Sequence, residues 1–211
     1  VQLGHGSGGK MSAVLLAEHF LPYLANPVLL ELGDAAVVPA GAAELAISTD
    51  TFVVNPLEFP GGNIGSLAVH GTLNDVAMMG ARPRYLSAGF VLEEGLPFDL
   101  LDRVVGALGA SAQAAGVVVI TGDTKVVERG KADGMFINTT GIGTLDPEFR
   151  PAPGRAAPGD AIIVSGPVGR HGMAIMAARE GLEFESRIES DSAALVPLVE
   201  RLRANVGPEV H

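Results

Sequence analysis

The chain has 211 residues, 47% of them hydrophobic and 18% charged, enough for one large or two modest domains with real cores. Its formal net charge of −10 argues against a nucleic-acid partner but not against a polyphosphate, whose metal ion carries the positive charge locally. The absence of cysteine excludes disulfides, a thiolate nucleophile and Cys-ligated zinc within these residues, and it fits a cytoplasmic setting.

Gly4-His5-Gly6-Ser7-Gly8-Gly9-Lys10 is a glycine-rich lead-in that opens without Met, as a processed or truncated product would. Met11 to Leu24 has helical spacing, with Val14, Leu15, Ala17 and Leu21 on a mostly apolar face. Pro27 begins a loop and strand region around Leu29–Leu32, followed by Gly33-Asp34-Ala35-Ala36. Leu45 to Thr49 reads as a strand ending at Asp50-Thr51, which Phe52–Val54 extends. Asn55 to Asn63 is a Pro/Gly-rich loop. Ile64 to Met79 is a long apolar helix stopped by Gly80 and Pro83. Tyr85 to Leu92 is strand-like. Leu100, Leu101, Val104, Val105, Leu108 and Ala112 recur at helical spacing before Gly116. The β-branched run Val117–Thr121 reads as a buried strand that stops at Gly122, and Met135–Thr140 as its successor. Pro147 to Gly159 holds four prolines and reads as a linker. Asp160–Ser165 is then a new strand, with helices over Gly172–Glu180 and Ala193–Ala204. No apolar run is long enough to span a membrane, and no signal peptide opens the chain.

Four aspartates stand out. Asp34 lies among small neighbours that would let a cation or phosphate approach, although a turn aspartate has the same surroundings. Asp50 ends an apolar strand, a place favoured by ligand sites and by ordinary turns alike. Asn74-Asp75 interrupts an otherwise apolar helix. A buried carboxylate there calls for a metal, or else for a polar network that fixes helix packing. Gly122-Asp123-Thr124-Lys125 sets a carboxylate, a hydroxyl and an ammonium just past a strand. That set suits a metal-bound polyphosphate, but a surface turn would also carry it. Arg129 and Lys131 are either solvent charges or further phosphate contacts. Gly6–Lys10 offers backbone amides and a charge to phosphates, without Walker spacing. Glu93-Glu94 is more simply a loop charge run than an acid/base pair, and the five histidines lack metal-ligand spacing.

In order along the chain these elements resemble the ATP-binding superfamily of aminoimidazole ribonucleotide synthetase and selenophosphate synthase. The segments His5–Lys10, Thr49–Gly62, His70–Pro83, Phe90–Pro97, Thr121–Gly143 and His171–Glu185 resemble its HypE family of hydrogenase-maturation carbamoyl dehydratases. The resemblance implies an α+β N-terminal domain that forms a barrel across a dimer, then the start of a second α+β domain. The corresponding division is a lead and helix over 1–29, an ATP-binding dimerisation domain over 30–150, and an incomplete domain over 151–211.

The implied reaction is ATP-dependent dehydration of a C-terminal cysteine thiocarboxamide to thiocyanate, which supplies cyanide for the [NiFe]-hydrogenase iron. The implied cofactors are ATP and Mg²⁺, with Asp34 and Asp75 as metal ligands. Lys10, Asp50, Asp75, Asp123 and Thr124 would contact nucleotide, and Lys125 would bring charge to the γ-phosphate or thiocarboxamide. The implied partners are a second copy of the chain, a carbamoyltransferase and an iron-bearing scaffold complex, with neither nucleic acid nor membrane. The reacting cysteine is missing here, so this chain alone is expected to bind nucleotide and dimerise without turning over. Two other readings stay open: another ATP-dependent enzyme of the superfamily, such as a small-molecule kinase or synthetase, and a non-catalytic dimerisation module.

Overall fold

The computed structural model describes residues 9–181 and 188–210. The readings of His5–Gly8, Leu182–Glu185 and His211 lie outside them. Residues 10–24 are helical throughout: α1 (Lys10–Leu15), a π-helical turn (Leu16–Phe20) and α2 (Leu21–Leu24). Where a strand was expected near Leu29–Leu32, Leu29–Glu31 instead form a 3-10 turn.

The centre of the molecule is a five-stranded sheet. Its strands are β1 (Ala36–Ala40), β2 (Ala43–Phe52), β5 (Ala81–Glu93), β6 (Val118–Val127) and β7 (Met135–Leu145). They lie in the order β1-β2-β7-β5-β6. All neighbours are antiparallel except β5 and β6. A small ribbon of β3 (Glu58–Phe59) and β4 (Gly62–Asn63) precedes α3 (Ile64–Met78). Helix α4 (Phe98–Ala114) follows β5, then α5 (Arg170–Glu180) and α6 (Val196–Asn205) complete the described fold.

Helix α3 forms where the sequence signals it. The Asn63 side chain accepts from the backbone N–H groups of Gly65 and Ser66 at 3.0 and 3.1 Å, and Ser66 Oγ accepts from Asn63 N–H at 3.1 Å. Such reciprocal capping satisfies donors that the first turn would otherwise leave open. Gly80 ends the helix in the left-handed region at φ 74°, where an added Cβ would lie 2.2 Å from Phe149 O. Between these ends, Ile64, Ala68, Val69, Leu73, Val76 and Ala77 are buried.

These side chains pack against alternate residues of the sheet. Ala46, Ser48 and Phe52 of β2 are buried on this face, as are Met135, Ile137 and Thr139 of β7. Leu73 is 1% exposed, and burial of such a side chain contributes about 1.5–3 kcal/mol. Val104, Leu108 and Ala112 of α4, four residues apart, close the same core. Within it a buried hydroxyl pair joins Thr72 Oγ1 and Thr139 Oγ1 at 2.6 Å, and Thr139 also donates to Ala68 O at 3.2 Å. Helix α6 covers the far end of α3, with Val199 packed beside Ala77 and Phe149.

Three local readings change. Asp50 sits inside β2, paired with Thr139, because the strand runs on to Phe52. Gly122–Lys125 are not a loop beyond a buried strand but part of β6, which is the exposed edge of the sheet. Asp160–Ser165 forms no strand: Ile162 and Ile163 are 94% and 87% exposed, with no neighbouring strand to pair with among the described residues.

Candidate functional site

Three of the predicted aspartates come together where β1, β2 and α3 meet. Asp75 leaves α3 toward β2, where Ser48 Oγ donates to its Oδ2 at 3.2 Å. Burial is the main reason that its carboxyl is pushed up from 3.8 to about 6, with Asp50 and Asp34 nearby adding repulsion and the Ser48 bond opposing. Asp50, two residues along β2 from Ser48, is likewise raised by burial. Gly71 of α3 leaves the room beside it. A Cβ there would lie 2.8 Å from the Phe52 ring and 3.7 Å from Asp50 Oδ2.

Asp34 precedes β1 and is exposed. It stands at the edge of an apolar cleft of about 220 Å³ between the end of α3 and α6, lined by Met78, Met79, Phe149, Val199 and Leu202. None of these three aspartates takes part in an ion pair among the described residues. A concentration of like charge without a counter-ion is what a bound cation would relieve. The three are not close enough to enclose a metal by themselves: no group of three acidic, His or Cys side chains of that kind exists among the described residues.

The other predicted residues lie elsewhere. Strand register places Asp50, Thr139, Ala88 and Gly122 in one row, and Thr51, Asn138, Gly89 and Asp123 in the next. Adjacent rows face opposite sides of a sheet. Asp123 and Lys125 are therefore on the open face, away from α3, and about 14 Å from Asp50 across three strand spacings. Lys125 Nζ bonds Asp123 Oδ2 at 2.6 Å, which holds the Asp123 carboxyl below its usual range. Thr124 belongs to the row of Phe52, Ile137 and Phe90, on the helix side. Lys10 is the exposed first residue of α1.

Asn74 departs from a ligand role. His70 and Asn74 lie on one face of α3, and that face meets residues 192–195. Glu93 proves structural: its carboxylate accepts from Gly130 N–H at 2.7 Å and Gly134 N–H at 3.1 Å, closing the turn between β6 and β7. The spacing of Glu93 from those glycines in sequence gave no sign of this.

The order β1-β2-β7-β5-β6, with helices on one face and three aspartates at the β1–β2 side, is matched by sequence. Residues 32–145, more than half of the chain, match the family model described as AIR synthase related protein, N-terminal domain. The chain belongs to that family. This AIR synthase related chain is similar to the carbamoyl dehydratase HypE of Azotobacter vinelandii, at 51% identity over 100% of the chain and 61% of that protein.

Its fold is similar to HypE in a HypE–HypF complex, with a TM-score of 0.85 and 45% identity over 90% of the chain and 61% of that protein. It is also similar to HypE solved in complex with ATP, with a TM-score of 0.76 and 54% identity over 97% of the chain and 61% of that protein. The chain thus spans about three-fifths of the length of the relatives it matches. Both the α+β fold and the HypE resemblance read from the sequence are borne out.

Proposed function

We propose that this chain is the nucleotide-binding and dimerising portion of a hydrogenase-maturation carbamoyl dehydratase. The observation that carries the reading is Asp75, a half-buried carboxylate with two acidic neighbours and no ion-pair partner among the described residues, in a chain 54% identical to a HypE solved with ATP. Asp34, Asp50 and Asp75 would hold Mg²⁺ in pairs, with phosphate oxygens and water filling the remaining positions. Mg²⁺ commonly binds in that way beside nucleotides. Lys10 would add charge from the N-terminal side.

ATP would phosphorylate the oxygen of a cysteine thiocarboxamide, giving ADP, and that oxygen would then leave as phosphate while the nitrogen gives up its two protons, leaving thiocyanate. Such catalysis is mainly positioning and charge neutralisation. The cysteine would come from beyond these residues, so the chain alone would bind without turnover. Residues 30–150 would be the nucleotide-binding unit and 151–211 the start of the second domain. A carbamoyltransferase would supply the carbamoyl group in the cytoplasm, and an iron-bearing scaffold would receive the cyanide.

The open edge strand supports a homodimer. β6 exposes Val118, Ile120 and Val126 by 59%, 54% and 67%, beside a row of backbone groups that no strand pairs among the described residues and that a second copy would cover. Asp123 and Lys125 would then stand at the contact between copies, and their part in nucleotide binding would require both. Calorimetric titration with ATP, with and without Mg²⁺, tests the reading. Mg²⁺-dependent binding is expected, and its absence would overturn the placement of a working site within this chain.

A further inference from the structure

Residues 190–195 form a strap across the outer side of α3, tied to three separate parts of the fold. Ser190 N–H donates to Pro60 O at 2.8 Å, in the turn between β3 and β4. Gly61 beside it is in the left-handed region at φ 94°, and a Cβ there would lie 2.9 Å from Ser190 N. On α5, His171 donates its backbone N–H to Asp191 Oδ1 at 2.8 Å, while its Nδ1 lies 2.9 Å from Ser190 Oγ.

On α3, His70 Nδ1 lies 3.2 Å from Ser192 Oγ. Asn74 uses both ends of its amide: Nδ2 donates to Ala193 O at 3.0 Å, and Oδ1 accepts from Leu195 N–H at 2.8 Å. The chain then enters α6, which itself packs on α3.

Neighbouring helical residues point about 100° apart, so Asn74 faces the strap while Asp75 faces Ser48 and the sheet. Two hydrogen bonds from one planar amide to a fixed backbone resist both roll and slide of the helix. The lever is short. A side-chain tip lies about 5–6 Å from the helix axis, so a roll of about 10° moves it by about 1 Å. A displacement of that size is enough to spoil a metal–phosphate geometry.

We infer that Asn74 is a positioning residue for the aspartate site: by clamping the strap 193–195 it fixes the roll of α3, and with it the place of the Asp75 carboxylate. This rests on the magnesium–nucleotide reading of Asp75 given above. It also assigns the strap a purpose, which is to make the seating of α5 and α6 a condition for an ordered site.

The test uses the 211-residue chain and its Asn74→Ala, Asn74→Gln and Asp75→Asn variants. Each is titrated with ATP in the presence and absence of Mg²⁺, and its thermal unfolding is recorded alongside. Asp75→Asn removes the Mg²⁺-dependent part of the affinity. Asn74→Ala weakens Mg-ATP roughly tenfold and leaves metal-free ATP unchanged, and Asn74→Gln, which keeps donor and acceptor on a longer arm, recovers part of the loss. If Asn74→Ala lowers the melting temperature but keeps the full Mg²⁺ dependence, or loses both affinities equally, the strap is only a brace and the inference falls. If Asp75→Asn binds Mg-ATP like the parent, the reading of the site itself falls, and the role of Asn74 with it.

Discussion

Asp75→Asn should make the ligand-free chain more stable while taking away its Mg²⁺ response. In the parent the Asp75 carboxyl is raised from 3.8 to about 6, chiefly by burial. The native state therefore keeps a proton over a pH range in which the unfolded chain has released it. That contribution to stability is complete below pH 3.8 and is lost as the pH rises through about 6. At about 1.4 kcal/mol for each tenfold change in proton affinity, the full difference is roughly 3 kcal/mol. Asp75 is only half-buried, so solvent screening reduces this to on the order of 1 kcal/mol.

Asparagine carries no charge at any of these pH values, and its carbonyl oxygen can still accept from Ser48. The variant should then match the parent near pH 4 and melt about 2–4 °C higher at pH 7.5, the gap opening between those points. Scanning calorimetry from pH 4 to 8 without divalent ions measures it directly. Mg-ATP should raise the melting temperature of the parent at pH 7.5, much less so at pH 5, and not that of the variant. A variant less stable than the parent at pH 7.5, or a gap that does not change with pH, would refute the account of an uncompensated carboxylate.

Two further outcomes follow from other parts of the fold. Replacing both Ile120 and Val126 by Lys on the exposed edge of β6 should leave the fold intact and turn a dimer into a monomer in sedimentation velocity; an unchanged sedimentation coefficient would move the dimer contact elsewhere. Thr139→Val leaves the buried Thr72 hydroxyl without its partner at 2.6 Å, so the urea midpoint should fall by the equivalent of about 1–3 kcal/mol at constant m-value. A loss below about 0.5 kcal/mol would mean that Thr72 turns to another acceptor without penalty.

The parts of the fold legible in the sequence are those set by local chemistry. Helix α3 was readable because its apolar run and the stop at Gly80 agree, while the Asn63 cap emerges only in the structure. Asp75 was readable because a carboxylate within that pattern needs a reason. What could not be read is whatever depends on a strand's neighbours. Val117–Thr121 has the composition of a buried strand, yet β6 is an edge, and only the register of β5 and β7 says so. The same register separates Asp123 from Asp50, although both follow apolar β-branched runs. Asn74 adjoins Asp75 in sequence, so the two read as one polar pair. A helix turns them about 100° apart and gives them different tasks. Ile162–Val164 had a strand's composition too, but a strand's hydrogen bonds need a partner that the described residues do not supply.

The geometry of the aspartates also bears on which ligand suits them. Asp34 and Asp50 are each near enough to repel Asp75, yet no three acidic side chains converge on a single point among the described residues. A dedicated cage for Ca²⁺ would need many protein oxygens converging at 2.3–2.6 Å. Mg²⁺ asks less of the protein: one or two carboxylates, with the rest of its octahedron filled by water and substrate phosphates. An open group of carboxylates is therefore better matched to a metal that arrives with its nucleotide than to one that resides alone. In the absence of ligand, burial helped by repulsion from Asp50 and Asp34 keeps Asp75 partly protonated near pH 6, and the metal-bearing phosphate would displace that proton on arrival. Mg-ATP binding at pH 6 should release a fraction of a proton that vanishes by pH 8, which calorimetry in buffers of different ionisation enthalpy would detect. Equal release at both pH values would mean that Asp75 is not the group displaced.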